Sequence, residues 1–303
     1  MPLTSLDSRT TRFLGDMDRI TKRLDRAQYL ITSGRRINQV SDAPDEISHL
    51  LAARTQLSAS TQVHSNLNRV KGEVDAAETA LQQAINVMDR VTVLGTQGAT
   101  DTMTADSRRS LANEIGSLLE QLVNLAGTKV DGRFVFSGDS DTTSPYTIDM
   151  DIDPPYSAYQ GSASTRKVEH PSGALIKVSL TAQEIFEDAD PTRNIFAAVQ
   201  EIRTALAAND TDSIKDALGR VRFSNNHLNN QLAFYGAVQN QVAEGIDFAF
   251  KQELRLKAEI SAIEDADLTE AILELNQARL QQEAALGAQS QILNKPSLLD
   301  FLK

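Results

Sequence analysis

Asp149, Asp151 and Asp153 are spaced like the opening carboxylates of a calcium-binding loop. Such a loop needs glycine at its sixth position for a sharp turn and a bidentate glutamate at its twelfth. Those positions hold Pro154 and Gln160. Ile148, Met150 and Ile152 fall between the polar residues, so the alternation reads as a strand over 147–153 with its acids on the wet face. Glu264, Asp265 and Asp267 could be paired carboxylates for acid–base work. Nothing apolar surrounds them to shift a pKa and no histidine lies nearby, which makes them a solvated helical face or a subunit contact.

The four histidines, His49, His64, His170 and His227, are far apart and lack the spacing of a metal site on one helix face. With no cysteine in the chain there is no disulfide, thiol catalysis or thiolate metal site. Phosphate-cradling glycine loops and nucleophile elbows are also missing from the sequence. Arg35-Arg36 and Arg108-Arg109 are too short for a nucleic-acid patch and read as surface charges or salt-bridge donors. No metal, cofactor or catalytic residue is expected, and the protein is not expected to be an enzyme.

The elements that would carry these residues follow from composition and period. Aromatic residues are only 5% of the 303-residue chain, and 15 glycines and 8 prolines are few for that length, so helix should dominate. The net charge of -11 repels phosphate backbones and anionic lipids, which argues against a nucleic-acid or membrane-surface partner. No apolar run is long enough to span a membrane. The first thirteen residues are polar and carry Asp7, Arg9 and Arg12, so no cleaved secretory leader is expected.

Leu6, Phe13, Met17, Ile20, Leu24, Ala27 and Ile31 alternate by four and three after one heptad step, the seam of a helix seeking another helix. Ser33-Gly34 breaks it. Asp42 then reads as an N-cap, with Pro44 in the first helical turn. A second seam from Leu50 to Val91 predicts a long helix that Gly95 and Gly98 end. Thr104 caps a third, to about Val130. Asn209-Asp210 breaks and recaps the helix that begins near Ile195, and a last helix from Ile214 runs on to about Leu293.

Between these helices the period changes. A short strand is expected at 133–136, and a hairpin at 165–169 and 174–180 around His170-Pro171-Ser172-Gly173. Four of the eight prolines fall between 145 and 171, which marks off a small β insert over 131–185. The expected class is mainly α: a long-helix antiparallel coiled-coil rod formed by both termini, with a small β insert domain mid-chain. Three domains are expected: 1–42 with 262–303, 43–130 with 186–261, and 131–185.

The run Ile31-Thr32-Ser33-Gly34-Arg35-Arg36-Ile37-Asn38, followed by Ser41-Asp42-Ala43-Pro44, resembles the N-terminal segment of bacterial flagellins and their junction relatives. Gly236-Ala237-Val238-Gln239-Asn240 and Ile263-Glu264-Asp265-Ala266-Asp267 resemble the C-terminal half of the same pattern. Ser41-Asp42 departs from the Asp-Asp common there. Gly132-Arg133-Phe134-Val135-Phe136-Ser137-Gly138, Tyr159-Gln160-Gly161, Asn194-Ile195-Phe196 and the ending Ser297-Leu298-Leu299-Asp300-Phe301-Leu302 are similar to the hook–filament junction branch of that family.

The resemblance implies a structural part of the flagellum, outside the cell, exported by the flagellar type III apparatus without signal cleavage. The alternative within the family is a short filament-forming flagellin. Implied partners are other copies in a helical ring, the other junction protein, flagellin and an export chaperone, with no nucleic acid, membrane or cofactor. The assembly interface would be Leu6, Phe13, Met17, Ile20, Leu24 and Ile31 of the N-terminal seam and Leu268, Ile272, Leu275 and Leu293 of the C-terminal one. Replacing the β insert with a Gly/Ser linker is expected to leave assembly intact.

Overall fold

The computed structural model of the chain describes residues 3–149, 152–171, 173–188 and 190–293, with side chains from 10 to 291. Seven helices lead among the described elements: α1 (Leu3–Ser33), α2 (Pro44–Gly98), α3 (Ala105–Ala126), α4 (Ala182–Phe186), α5 (Ile195–Ala207), α6 (Thr211–Glu264) and α7 (Leu268–Leu293). Between α3 and α4 lie two hairpins, β1 (Lys129–Val130) with β2 (Arg133–Phe134), and β3 (Lys167–Glu169) with β4 (Leu175–Lys177). The mainly helical class stands.

The chain packs as two compact units, residues 1–58 with 253–303, and residues 59–252. In the first, α1 and α7 lie antiparallel: Arg35 bridges Asp265 at one end, and Arg23 reaches Glu274 and Gln281 further along. The first turns of α2 lie along the last turns of α6, where His49 meets Glu259 at 3.1 Å.

The ends of the helices follow their caps. Thr104 Oγ1 accepts the Ser107 amide at 3.2 Å and starts α3 as expected. Asp210 accepts the Ser213 amide and recaps α6 after Asn209, whose φ of 56° breaks the run. Asp42 is not the N-cap of α2. It closes a 3-10 turn at Val40–Asp42, and its carboxylate accepts the amides of Asn38 and Gln39 behind it at 2.9 and 2.8 Å. Those two bonds hold its pKa below the usual carboxylate value. Gly95 does not end α2 either. It lies inside the helix where α5 passes, and a side chain there would run into Ile202, as one at Gly98 would run into Leu206.

The second unit has one continuous core. Leu81, Met88 and Leu94 of α2 meet Ile115, Leu119 and Leu122 of α3, with Ile202 and Leu206 of α5 and Val221 and Leu228 of α6. Burying each such side chain is worth about 1.5–3 kcal/mol. Residues 131–185 join this core. Phe136 sets its ring edge-on to Phe186 and Tyr235, Phe186 stacks on Phe196 at 5.3 Å, and Tyr146 stands edge-on to Phe196. The Tyr235 hydroxyl, deep in the cluster, accepts the Leu180 amide at 3.1 Å.

The expected hairpin forms, pairing Val168 with Ile176, but the strand at 133–136 shortens to Arg133–Phe134. The strand expected at 147–153 is not formed among the described residues. A single bridge, Ile148 to Tyr156, turns that segment back on itself. Met150 and Asp151 lie outside the described residues.

The structure therefore reverses the linker expectation. Exchanging 131–185 for Gly/Ser would strip Phe136, Tyr146, Leu180 and Ile185 from the core. A single Phe→Ala change in a core costs about 3–5 kcal/mol. The full-length chain so altered is expected to lose the cooperative thermal transition of its second unit, followed by circular dichroism. A transition at the wild-type temperature would show that the segment is dispensable.

A carboxyl group lies against the aromatic cluster. The Tyr146 hydroxyl donates to Glu187 Oε2 at 3.0 Å, and burial raises the Glu187 pKa above the usual glutamate value despite that bond. Burial also pushes Tyr156 and Tyr159 up to about 12. A carboxyl with a raised folded-state pKa binds protons more tightly in the native chain, so its penalty is present at neutral pH and fades as pH falls through that pKa. Glu187→Gln is expected to raise Tm at neutral pH. The gap to wild type should close as pH falls toward the ordinary glutamate value of about 4.3. A gap that is constant with pH would show that Glu187 is solvated in the native chain.

Candidate assembly interface

In α1 the seam residues Phe13, Met17, Ile20, Leu24 and Ile31 are half-buried and Ala27 is buried, all on the face toward α7. This is the phase their spacing predicts. The side chains of Leu6 and Leu293 lie outside the described residues, as do residues 297–302.

The C-terminal seam differs from expectation. Leu268 and Ile272 are 47% and 49% exposed, and Leu275 is half-buried. What α7 turns inward is Ala271 and Ala278, 3% and 0% exposed, in line with the half-buried Leu275, Gln282, Ala285 and Gln289. The cause is a break before the helix. The helix expected from Ile214 to about Leu293 stops at Glu264, and α7 starts afresh at Leu268. Asp267 caps the new start, accepting the Thr269 and Glu270 amides at 2.8 and 3.1 Å. The heptad phase of α6 therefore does not carry into α7. Alanines at the crossing let two helix backbones approach closely, and the large apolar residues of α7 turn outward. Leu273, Leu280 and Leu286 join Leu268 and Ile272 there, each about half exposed or more.

Polar contacts fix the register of the pair. Arg23 Nε donates to Glu274 Oε1 at 2.5 Å and its other arm to Gln281 at 2.9 Å. The guanidinium holds the Glu274 pKa below its usual value. Both groups are exposed, so the bond specifies register more than it stabilises.

At the other end of the pair the two chain crossings meet. Gly34, at φ 68°, turns the chain out of α1, and its carbonyl accepts the Ala266 amide at 3.0 Å. The Glu264 carbonyl accepts the amides of Arg36 and Ile37. The Glu264 side chain, expected on a solvated face, is buried. Its carboxylate oxygens meet Arg35 Nε at 2.8 Å and an Arg54 nitrogen at 2.5 Å. Arg36 binds the Ile263 carbonyl at 2.7 Å and pairs with Glu46. Asp265 and Asp267 are exposed, as expected of acids on a wet surface. Among the described residues no group of three or more acids, histidines or cysteines is arranged to hold a metal ion.

Alanine spacing was the available cue to the α7 seam, since Ala271, Ala278 and Ala285 recur every seven residues. No sequence cue separates Glu264 from its acidic neighbours. Its burial follows from where two distant segments cross.

Comparison with known proteins bears on what such an interface serves. The pattern of the bacterial flagellin N-terminal helical region matches residues 11–141, and that of the C-terminal helical region matches residues 218–302. Flagellin B of Helicobacter pylori is 31% identical over 165 residues, 52% of this chain and 32% of its own. The chain thus spans about a third of the length of the curated flagellins it matches first. Flagellar hook-associated protein 3 of Salmonella typhimurium is 25% identical over 285 residues, 85% of each chain. A solved structure of a flagellar hook-associated protein from Vibrio parahaemolyticus superposes with a TM-score of 0.65 at 19% identity, covering 74% of this chain and 100% of that one, a likeness of fold.

Proposed function

Because the chain belongs to the bacterial flagellin family, carrying both of its terminal helical regions in order, we propose that it is a structural adaptor at the hook–filament junction of the flagellum. The observation that carries this reading is end-to-end similarity to a hook-associated protein 3 at 25% identity, above the 22% of a short flagellin of Listeria innocua that is also matched end to end. The family role is structural, and packing rather than catalysis would do the work.

In this reading the chain leaves the cell by the flagellar type III route and sits in a helical ring of its own copies. One side would meet the other junction protein and the other side the first flagellins. An export chaperone would cover the C-terminal helix beforehand. The half-buried α1–α7 seam and the outward leucines of α7 support an assembly role, since both leave apolar area for neighbours to cover.

Imaging the tagged protein on isolated flagella tests the assignment. Label confined to the boundary of hook and filament is the expected result. Label along the whole filament would make the chain a short filament-forming flagellin.

A further inference from the structure

Glu264 is an unfavourable place for a negative charge. It is the last residue of α6, where the helix dipole presents its negative end, and its side chain is 4% exposed. A carboxylate buried there is costly unless it is paired. Two arginines from different elements pair it, Arg35 from the strap between α1 and α2, and Arg54 from α2. Buried ion pairs of this kind are often no more stabilising than apolar residues, and their attested use is to select one arrangement over others.

The surroundings define that arrangement. The chain passes between the α1–α7 pair and the paired ends of α2 and α6 twice, at residues 34–43 and 265–267, and both crossings are tied to Glu264 or its neighbours. Of residues 34–43, Ile37 alone is buried and most of the rest are exposed. Gly34 has a left-handed backbone with open space where a side chain would be. Short, exposed links with such a residue are what absorb rotation in a hinge. We propose that the Glu264 carboxylate is a latch: bound to Arg35 and Arg54 it fixes the direction of the α1–α7 pair against α2 and α6, and released it lets the pair pivot as one body about the two crossings.

The inference rests on contacts within the first unit and not on the junction assignment. Glu264 acts as a positioning residue, so its test must separate redirection from general loosening. The chain has no cysteine, which allows spin labels to be placed in pairs. Labels at the exposed Gln28 and Gln56 report the pair against α2, and labels at Gln28 and Gln277 report distances inside the pair. Double electron–electron resonance on the full chain should give one narrow distribution for each in wild type. Glu264→Gln keeps the shape and removes the charge. It is expected to add a second Gln28–Gln56 population of at least about a tenth, while Gln28–Gln277 stays narrow. Arg54→Gln should do the same to a smaller degree. Amide exchange at Ala266, bonded to the Gly34 carbonyl, should quicken by about tenfold or more in both variants.

Unchanged Gln28–Gln56 distances in both variants would overturn the latch. Equal broadening of both label pairs would also overturn it, because Glu264 would then be a general support of the unit.

Discussion

Arg108→Ala is expected to destabilise the second unit by about 1–3 kcal/mol or more, the cost of leaving buried acceptors without a donor. Arg108 follows the cap of α3 and is 4% exposed. Its Nε donates to the Gly98 carbonyl at 2.9 Å, one terminal nitrogen to the Thr100 carbonyl at 3.0 Å, and the other to Asn209 Oδ1 at 2.6 Å. One guanidinium thus closes the end of α2, the turn into α3 and the left-handed turn between α5 and α6. No carboxylate is among these partners, so the charge is held by carbonyl dipoles at the end of α2, where a cation is favoured. Alanine would leave the three acceptors without their donor and open a cavity. Lysine supplies a charge but cannot fork to three acceptors and should recover only part of the loss. Arg109→Ala is the control, since its partner Asp106 is a solvated neighbour at 3.2 Å and the pair is worth about 0–1 kcal/mol. Urea unfolding of the full chain reads all three. A loss at Arg108 no larger than at Arg109 would show that the network carries no stability.

Ala278→Asp should separate α1 from α7 and leave the second unit untouched. Ala278 is fully buried on the face of α7 that packs against α1. An aspartate there is both larger than alanine and a charge on the apolar face toward α1. Burying it unpaired costs more than about 3 kcal/mol, and exposed pairs such as Arg23–Glu274 cannot offset that. Isolated helices gain little stability of their own and rely on packing. Helicity of the terminal segments should therefore fall, and protease should cut within α1 and α7, with the main thermal transition unchanged. Leu275→Asp should act the same way more weakly, being only half-buried. Leu268→Asp and Ile272→Asp should leave the monomer intact and act only in assembly, because both face outward. An Ala278→Asp chain with α1 and α7 still protected would place the seam elsewhere on α7.

These expectations mark what sequence could and could not supply. The phase of α1 was legible because Phe13, Met17, Ile20 and Leu24 are large and keep a strict spacing. Thr104 and Asp210 were legible because capping is local chemistry. The seam of α7 was hidden because alanine carries little weight in an apolar pattern, and because a three-residue break reset the phase. Arg108 looked like a surface charge, since nothing local shows that residues 98, 100 and 209 converge on it. Glu264 is the same case. The alternation over 147–153 had the period of a strand, but its backbone pairs only briefly with 155–157, around the Ile148–Tyr156 bridge. Period specifies which face is apolar, and pairing depends on the rest of the chain.

The pairing of α1 with α7 also has a consequence in time. Arg23 and Glu274 are 251 residues apart in sequence. On a chain emerging from the ribosome at about 5–20 residues per second, roughly 13–50 seconds separate the two. Through that interval α1 has been made and α7 has not, while the segments of the second unit appear in between, with partners such as Ser60 and Ala249 189 residues apart. Among the described helices, this pair is therefore the last that can close. Its closing must wait until α7 has been synthesised, whatever the intrinsic speed of helix formation.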